Sequence, residues 1–269
     1  MNATNPPRGR DAARARLEKD MAERKATAMK RRKMWTGIGA GTTAVVVIGG
    51  SVWIYKVATY KPPVKTTATC AWQDVPAKPG QPSSTKDVGK PPTEVPKVGT
   101  RTMTVRTNFG DIPIALDLSK APCTDASMSF LASKAFWDGT KCHRMFPGML
   151  QCGDPLAKGK GYRPTDGRGG PSYVYGPENL PVNLSPAYPA GTVAMANNGQ
   201  DPISNGSQFF FIYDTVNLAS NYTVFGKVDS AGLSVLKKAT AAGDDKAFEP
   251  QPGGGHPKKD VNIQTITVN

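Results

Sequence analysis

A histidine, an arginine and a glutamine lie within the stretch KCHRMFPGMLQCGD, residues 141–154, which is otherwise mostly apolar or sulfur-bearing. Pro147-Gly148 marks a turn between two short strands, the first with His143 and Arg144 and the second with Gln151. A guanidinium cannot lose its charge, so in a half-buried strand it must pair with a carboxylate, reach water, or point into a cleft. In a cleft, its fixed donors can stabilise charge that develops during a reaction without proton transfer.

The same stretch raises the alternative of a zinc site, because Cys142, Cys152 and Asp154 accompany His143. Adjacent residues of a strand point to opposite faces, and paired C-x-x-C spacing is missing from the sequence, so zinc is disfavoured. His256, in the loop sequence GGGHP, is too isolated to suggest metal binding or catalysis. We therefore expect neither a metal nor a cofactor.

The strands that would position Arg144 belong to a domain predicted over residues 100–269. Residues 102–118 alternate with period two around an Asn-Phe-Gly-Asp turn, which predicts a hairpin. Helices are predicted from Pro122 and over residues 233–242. Further strand-like runs are TVAMAN (192–197), QFFFIYD (208–214), YTVFGKV (222–228) and the C-terminal VNIQTITV. The pattern predicts a mainly β fold of about eight antiparallel strands, closed into a barrel that protects their edges and capped by two helices.

The net charge of +13 is concentrated before this domain. Residues 1–33 hold eleven Lys and Arg against four acids, and residues 56–99 hold seven against three. A nucleic-acid-binding domain carries its basic residues on a folded face, whereas these flank an uncharged, largely apolar run from Trp35 to Tyr55, long enough to cross a bilayer. The positive-inside rule leaves the N-terminus in the cytoplasm and the domain outside. A cleaved signal peptide and a buried core helix are the alternatives.

Four regions follow from these patterns: a basic cytoplasmic tail (1–33), a transmembrane helix (34–55), a Pro-rich linker (56–99) and the domain (100–269). The tail has helix-forming composition and few large apolar residues, which is typical of a solvated helix or a disordered tail. The linker holds eight prolines with many Lys, Thr and Ser, and predicts an extended, semi-rigid spacer.

Three segments of the domain are specific in combination, namely GTKCHRMFPGMLQCGDP, GTVAMANNGQDPISNGSQFFFIYD and NYTVFGKV, in this order. Together they resemble the cyclophilin-type peptidyl-prolyl isomerases, and the tail, apolar run and spacer resemble the membrane-anchored bacterial form. The resemblance implies an enzyme that accelerates rotation about X-Pro bonds while secreted or membrane proteins fold. The alternative is a chaperone or scaffold that binds proline segments with little turnover. We expect a monomer without a nucleic-acid partner.

The resemblance also implies which residues form the catalytic site. Arg144 would donate to the imide nitrogen and a nearby carbonyl, Gln151 would orient Arg144, and Gln208 would bind the substrate backbone. Taken alone, Gln208 is more typical of a strand-edge amide, and Phe210 and Leu218 are more typical of core residues. The series of motifs favours the site.

The other residues implied by the resemblance contact the substrate. Ala196 and Asn197 would present backbone groups to an extended peptide, while His143 would shape the cleft rather than act as an acid or base. The remaining residues would line or flank an apolar socket for the proline ring, and are Met149, Phe210, Leu218 and Tyr222.

The sequence departs from the family pattern at several positions. The segment from His143 to Gln151 is one residue shorter, and Met149 stands where phenylalanine is usual. Asn217 occupies the position often held by a tryptophan that is associated with cyclosporin binding, so we expect weak cyclosporin affinity. Tyr222 stands at the following histidine position.

The cysteines of a domain outside the cytoplasm predict disulfides. Four cysteines allow three pairings, and they are Cys70, Cys123, Cys142 and Cys152. Cys142 and Cys152 fall on strands that should be neighbours, so their pairing is favoured over free buried thiols.

Overall fold

The structure, a computed structural model, describes residues 16–33, 65–76, 83–199, 201 and 203–269. The chain divides into two compact units, Met1–Val64 and Lys65–Asn269.

Helix α1 of the first unit covers residues 16–33 and is exposed along its whole length. Its larger apolar side chains, Leu17, Met21 and Met29, are all more than half exposed, which fits the solvated helix predicted for this part of the tail. Within the described ranges, no helix combines the length and the apolar character needed to cross a bilayer. The predicted transmembrane helix at 34–55 lies outside those ranges.

The second unit consists mainly of short, mostly antiparallel strands with two helices, α2 (Pro122–Ser133) and α3 (Ser230–Thr240). The strands are β1 (Thr67–Thr69), β2 (Gln73–Asp74), β3 (Thr85–Lys86), β4 (Glu94–Pro96), β5 (Thr100–Thr107), β6 (Gly110–Asp117), β7 (Thr140–Lys141), β8 (Arg144–Phe146), β9 (Met149–Cys152), β10 (Gly170–Pro171), β11 (Tyr173–Val174), β12 (Thr192–Met195), β13 (Phe209–Ile212), β14 (Val224–Val228) and β15 (Asn262–Val268).

Nine of these strands form one antiparallel sheet in the order β7-β15-β5-β6-β14-β12-β13-β9-β8. Its edge strands, β7 and β8, are separated in sequence only by Cys142 and His143. The sheet therefore curls until both of its ends meet in one chain segment. The predicted mainly β fold is confirmed, with nine strands instead of eight, because residues 140–146 pair first with β15 and then with β9.

The core of the domain follows the alternation seen in the sequence. In the hairpin of β5 and β6, the inward residues Met103, Val105, Ile112 and Ile114 are fully buried. Helix α2 begins at Pro122, as predicted. Helix α3 begins three residues before the predicted start, because Asp229 caps it by accepting a hydrogen bond from the backbone N–H of Gly232.

Residues 65–76 and 83–99, here called the N-terminal extension, differ from the predicted spacer. They belong to the same compact unit as the domain, with β2 paired to β11 and β3 paired to β10. Cys70 forms a disulfide with Cys123 in the first turn of α2. The extension is therefore docked on the domain.

A few apolar anchors account for this docking. Trp72 packs edge-on against Tyr173 and Tyr175, with ring centroids 5.5 and 5.3 Å apart, and Val95 is buried. Such isolated anchors create no periodic pattern in a polar, proline-rich stretch, which is why the sequence suggested a spacer.

Candidate active site

Three neighbouring strands, β8, β9 and β13, place predicted site residues side by side. Arg144 pairs with Gln151, which in turn pairs with Phe210. Met149 lies two residues before Gln151 on β9, and it pairs with Ile212 of β13. Alternate residues of a strand share a face, and the intervening residues of these strands belong to the barrel core. The predicted residues therefore lie together on the outer face of the sheet.

The outer face carries an apolar cluster of its own, separate from the barrel core. Met149 and Phe210 are buried in it, and Leu218 and Tyr222 pack against it while partly exposed. The rings of Phe210 and Tyr222 meet edge to face with centroids 5.3 Å apart. The four residues predicted to line or flank the proline socket are thus brought together.

Tyr188 supports this cluster and was not predicted. Its buried hydroxyl donates to the carbonyl of Ala219 and accepts from the backbone N–H of Tyr222, both over 3.0 Å. Burial raises the pKa of Tyr188, so the phenol stays neutral. The residue fixes the segment that carries Tyr222. Its only sequence signal is an aromatic between prolines in PAYPA, a spacing that specifies no site.

Arg144 is held by backbone carbonyls. Its Nη2 donates to the carbonyl oxygens of Pro252 and Gly253 over 3.0 and 3.1 Å, and the guanidinium carbon lies 5.6 Å from the centre of the Phe146 ring. Burial lowers the pKa of Arg144, but a guanidinium remains charged in proteins. Nε is buried without a partner among the described residues, so donor capacity remains.

Gln151 does not orient Arg144 as predicted. Its Nε2 donates to Oε1 of Gln208 over 3.0 Å. Nε2 of Gln208 donates to the carbonyls of Gly167 and Gly169, each over 2.8 Å. Gln208 therefore ties residues 159–169, here called the glycine-rich loop, to the sheet. Its side-chain amide is already occupied by the protein rather than open to a substrate.

Asn197 offers the free backbone groups expected of a peptide-binding edge. The N–H of Ala196 donates to the carbonyl of Gln208 over 2.9 Å, whereas the backbone N–H and C=O of Asn197 have no partner in the part of the chain that the structure describes. The Asn197 side chain is fixed, donating to the carbonyl of Asn221 and accepting from the N–H of Gly199.

His143 directly precedes β8 and is only 4% exposed. A Cβ at Gly167 would lie 3.0 Å from its ring, so the glycine-rich loop covers it closely. Burial lowers its pKa to about 4, and the nearby Asp154 only partly opposes this. The imidazole is therefore neutral near pH 7. The structure does not bring it to the outer face with the other predicted residues.

The cysteines form two disulfides, Cys70–Cys123 and Cys142–Cys152. The favoured pairing of Cys142 with Cys152 is confirmed. It bridges the residue before His143 and the residue after Gln151, directly behind the candidate site. Within the described ranges, no three His, Cys, Asp or Glu residues are grouped so that they could hold a metal ion.

A cavity of about 360 Å³ adjoins Gln151 and Gln208. The glycine-rich loop and Asn197 form part of its wall, and Val75, Ser84 and Thr85 of the N-terminal extension complete it. The extension therefore contributes directly to the surface beside the candidate site.

Comparisons with known proteins agree with this arrangement. Residues 102–268 match the family described as cyclophilin type peptidyl-prolyl cis-trans isomerase. The probable peptidyl-prolyl cis-trans isomerase B of Mycobacterium leprae is 33% identical over 223 residues, covering 78% of this chain and 70% of that protein. Its Mycobacterium tuberculosis counterpart is 37% identical over 221 residues, covering 77% and 65%.

A solved structure is also similar. The cyclophilin type peptidyl-prolyl cis-trans isomerase of Cryptosporidium parvum superposes with a TM-score of 0.53 at 25% identity, covering 64% of this chain and 98% of that one. With the curled sheet, the outer-face cluster and the matched residues, this chain belongs to the cyclophilin-type peptidyl-prolyl cis-trans isomerase family.

Proposed function

We propose that Arg144 is the residue through which this isomerase accelerates rotation about X-Pro bonds. The planar amide resists rotation with a barrier of about 18–20 kcal/mol, so the uncatalysed exchange takes tens to hundreds of seconds. As the bond twists, resonance is lost and the proline nitrogen gains a lone pair. A fixed donor close to that nitrogen stabilises the twisted state more than the planar one, and no covalent bond to the protein is needed.

The observation that carries this proposal is the anchoring of Arg144 at the edge of the apolar cluster. Nη2 is held by the carbonyls of Pro252 and Gly253, while Arg144 shares the outer face with Phe210 and Met149. A proline ring seated on the apolar side chains would bring its nitrogen towards the remaining guanidinium donors. Because the guanidinium is already oriented, little reorganisation accompanies the twist.

The substrate backbone would be aligned by groups that have no partner among the residues that the structure describes. Asn197 offers a backbone N–H and C=O to an extended peptide, and Oε1 of Gln151 is the acceptor left after its amide bonds Gln208. Leu218 and Tyr222 would close the outer side of the proline socket. His143 would act only by supporting the glycine-rich loop, since its ring is buried beneath Gly167.

The catalytic proposal is tested by exchange NMR of a short X-Pro peptide. The purified full chain should raise the cis/trans exchange rate far above the spontaneous rate at substoichiometric enzyme. Line broadening without faster exchange would instead indicate a scaffold that binds proline segments.

We further propose that the enzyme is a membrane-anchored monomer with its catalytic domain outside the cytoplasm, where it acts on secreted or membrane proteins. The uncharged run at 35–55 and the preceding KRRK support this orientation. Two disulfides involving all four cysteines also suit an oxidising compartment.

Membrane fractionation tests the anchor. The full chain should remain in the membrane fraction after alkaline carbonate extraction, and protease added to intact spheroplasts should digest the domain but leave the tail. Release of a soluble, shortened chain would indicate a cleaved signal peptide, and protection of the domain would reverse the orientation. The proposed monomeric state is tested by the molar mass of the full chain, measured by light scattering in detergent.

A further inference from the structure

Residues 244–257, here called the C-terminal loop, lie against the strand that carries the proposed catalytic arginine. Met145, the neighbour of Arg144, exchanges two backbone hydrogen bonds with Gly255, over 2.8 and 2.9 Å. The carbonyls of Pro252 and Gly253, which accept from Arg144, belong to this loop. The conformation of the loop therefore decides where the guanidinium is held.

An aspartate and a histidine close the two ends of the C-terminal loop on each other. Oδ1 of Asp245 accepts from the backbone N–H groups of Ala247 and His256, over 3.0 and 2.8 Å. Oδ2 lies 2.9 Å from Nδ1 of His256. The backbone N–H of Asp245 donates to the carbonyl of His256 over 3.0 Å. One carboxylate thus satisfies three donors and fixes both ends of the loop.

The His256 ring also attaches the C-terminal loop to the rest of the domain. It stacks on Tyr162 with centroids 4.2 Å apart and rings nearly parallel, and it meets Phe248 edge-on at 4.7 Å. The hydroxyl of Tyr162 donates to the carbonyl of Pro257 over 3.1 Å. The imidazole therefore joins the glycine-rich loop, through Tyr162, to the C-terminal loop that holds Arg144.

We infer that Asp245 and His256 are positioning residues, which act on catalysis through the carbonyls of Pro252 and Gly253 and hence through Arg144. The inference rests on the proposed role of Arg144. Within the described residues, this loop supplies all the hydrogen-bond acceptors of Arg144, and Gln151 is engaged with Gln208. A displacement of about 1 Å in a positioned group can reduce a rate about 100-fold, so fixing the loop matters for the reaction itself.

The test is a double-mutant cycle between His256→Ala and Arg144→Ala in the full chain, with kcat and KM measured on an X-Pro peptide. His256→Ala should lower kcat about tenfold with a smaller change in KM, because the orientation of the guanidinium matters most when the X-Pro bond is twisted in the transition state. In the Arg144→Ala background, the same substitution should change the rate less than about twofold, since its effect passes through Arg144. Lys259→Ala, at an exposed neighbouring position, should leave both constants unchanged.

Two further measurements separate positioning from a loss of folding. His256→Asn retains a donor for Asp245 and should recover most of the lost kcat. NMR of the Arg144 guanidinium, assigned by its absence in Arg144→Ala, should show faster rotation about Nε–Cζ in His256→Ala.

The outcomes distinguish the positioning role of His256 from the catalytic role of Arg144. An equal fold-loss from His256→Ala in both backgrounds, or unchanged guanidinium signals, would overturn the inference. A normal rate in Arg144→Ala would overturn the proposed role of Arg144, whereas the NMR measurement would still report whether His256 positions the side chain.

Discussion

Gln151 donates its side-chain amide to Oε1 of Gln208 over 3.0 Å instead of bonding Arg144. Nε2 of Gln208 in turn donates to the carbonyl oxygens of Gly167 and Gly169. The two glutamines therefore form one structural unit that ties the glycine-rich loop to the sheet, while Arg144 depends on the C-terminal loop. The arginine side of the candidate site is thus held by the C-terminal loop, and the glutamine side is held by the glycine-rich loop.

Substitution of either glutamine should therefore impair binding more than the chemical step. We expect Gln208→Ala to raise KM about three- to tenfold, with kcat changed less than about twofold, because the loop beside the substrate loosens. Gln151→Ala should raise KM at least as much as Gln208→Ala, because it removes both this hydrogen bond and the Oε1 acceptor proposed for the substrate backbone. Steady-state kinetics on one peptide would measure both effects. A fall in kcat as large as that of Arg144→Ala would show that Gln151 orients the arginine after all.

The disulfide between Cys70 and Cys123 should stabilise the domain substantially. It closes a sequence separation of 53 residues, and constraint of the unfolded chain over such a loop is worth about 4 kcal/mol. Cys70→Ala combined with Cys123→Ala should lower the free energy of unfolding by that amount in urea titrations without reductant. A loss below about 1 kcal/mol would mean that the N-terminal extension docks without help from the bond.

His143 should make the domain less stable in mild acid. Its folded-state pKa of about 4 lies below the ordinary value of 6.5, so the unfolded chain binds the proton more readily between these values. The contribution of His143 is fully present above pH 6.5 and is lost as the pH falls towards 4, by up to about 3 kcal/mol.

The control for this effect is His143→Leu, which has no titrating group at the position. Burial raises the pKa of Asp125 from 3.8 to about 6, although Arg101 opposes this. The contribution of Asp125 to the free energy of unfolding therefore falls as the pH rises from 3.8 to 6, opposite to the contribution of His143. This contribution is common to both proteins and cancels in their difference. Unfolding free energies of wild type and variant that run parallel from pH 7 to 4.5 would show that His143 is not buried as a neutral ring.

Cyclosporin should bind weakly because Asn217 stands where the family often has tryptophan. Asn217 is exposed, next to the partly exposed Leu218 at the socket. Asn217→Trp should increase the affinity about tenfold or more, since a large ring would add apolar contact with the ligand. Isothermal titration calorimetry of both proteins would measure this. Submicromolar binding by the wild type would contradict the prediction.

The fold could be predicted where apolar residues recur with a regular period. The hairpin of β5 and β6 and the strands around Phe210 follow such patterns, and Pro122 begins its helix as expected. The N-terminal extension could not be predicted, because Cys70, Trp72 and Val95 are isolated contacts made with residues far away in the sequence. Only the folded surface reveals where such anchors dock.

The candidate site was predictable in its residues but less so in its connections. The motifs indicated Arg144, Gln151 and Phe210, and strand register brings them together. The partners of Arg144 lie more than a hundred residues away in a loop of glycine and proline, and they are backbone carbonyls, which carry no side-chain signature. For the same reason His256 appeared isolated in sequence, although Asp245 and Tyr162 surround it.

The measurement that tests the central claim most directly compares the wild-type chain with Arg144→Ala and Arg144→Lys in the catalysed exchange of one X-Pro peptide. Loss of a donor aimed at the transition state typically costs about 100-fold in rate, so Arg144→Ala should fall by that factor without a matching loss of peptide binding. Arg144→Lys should remain impaired, since an ammonium lacks the forked donors that reach the carbonyls and the substrate together. A rate within about twofold of wild type for Arg144→Ala, in a folded protein, would contradict the account.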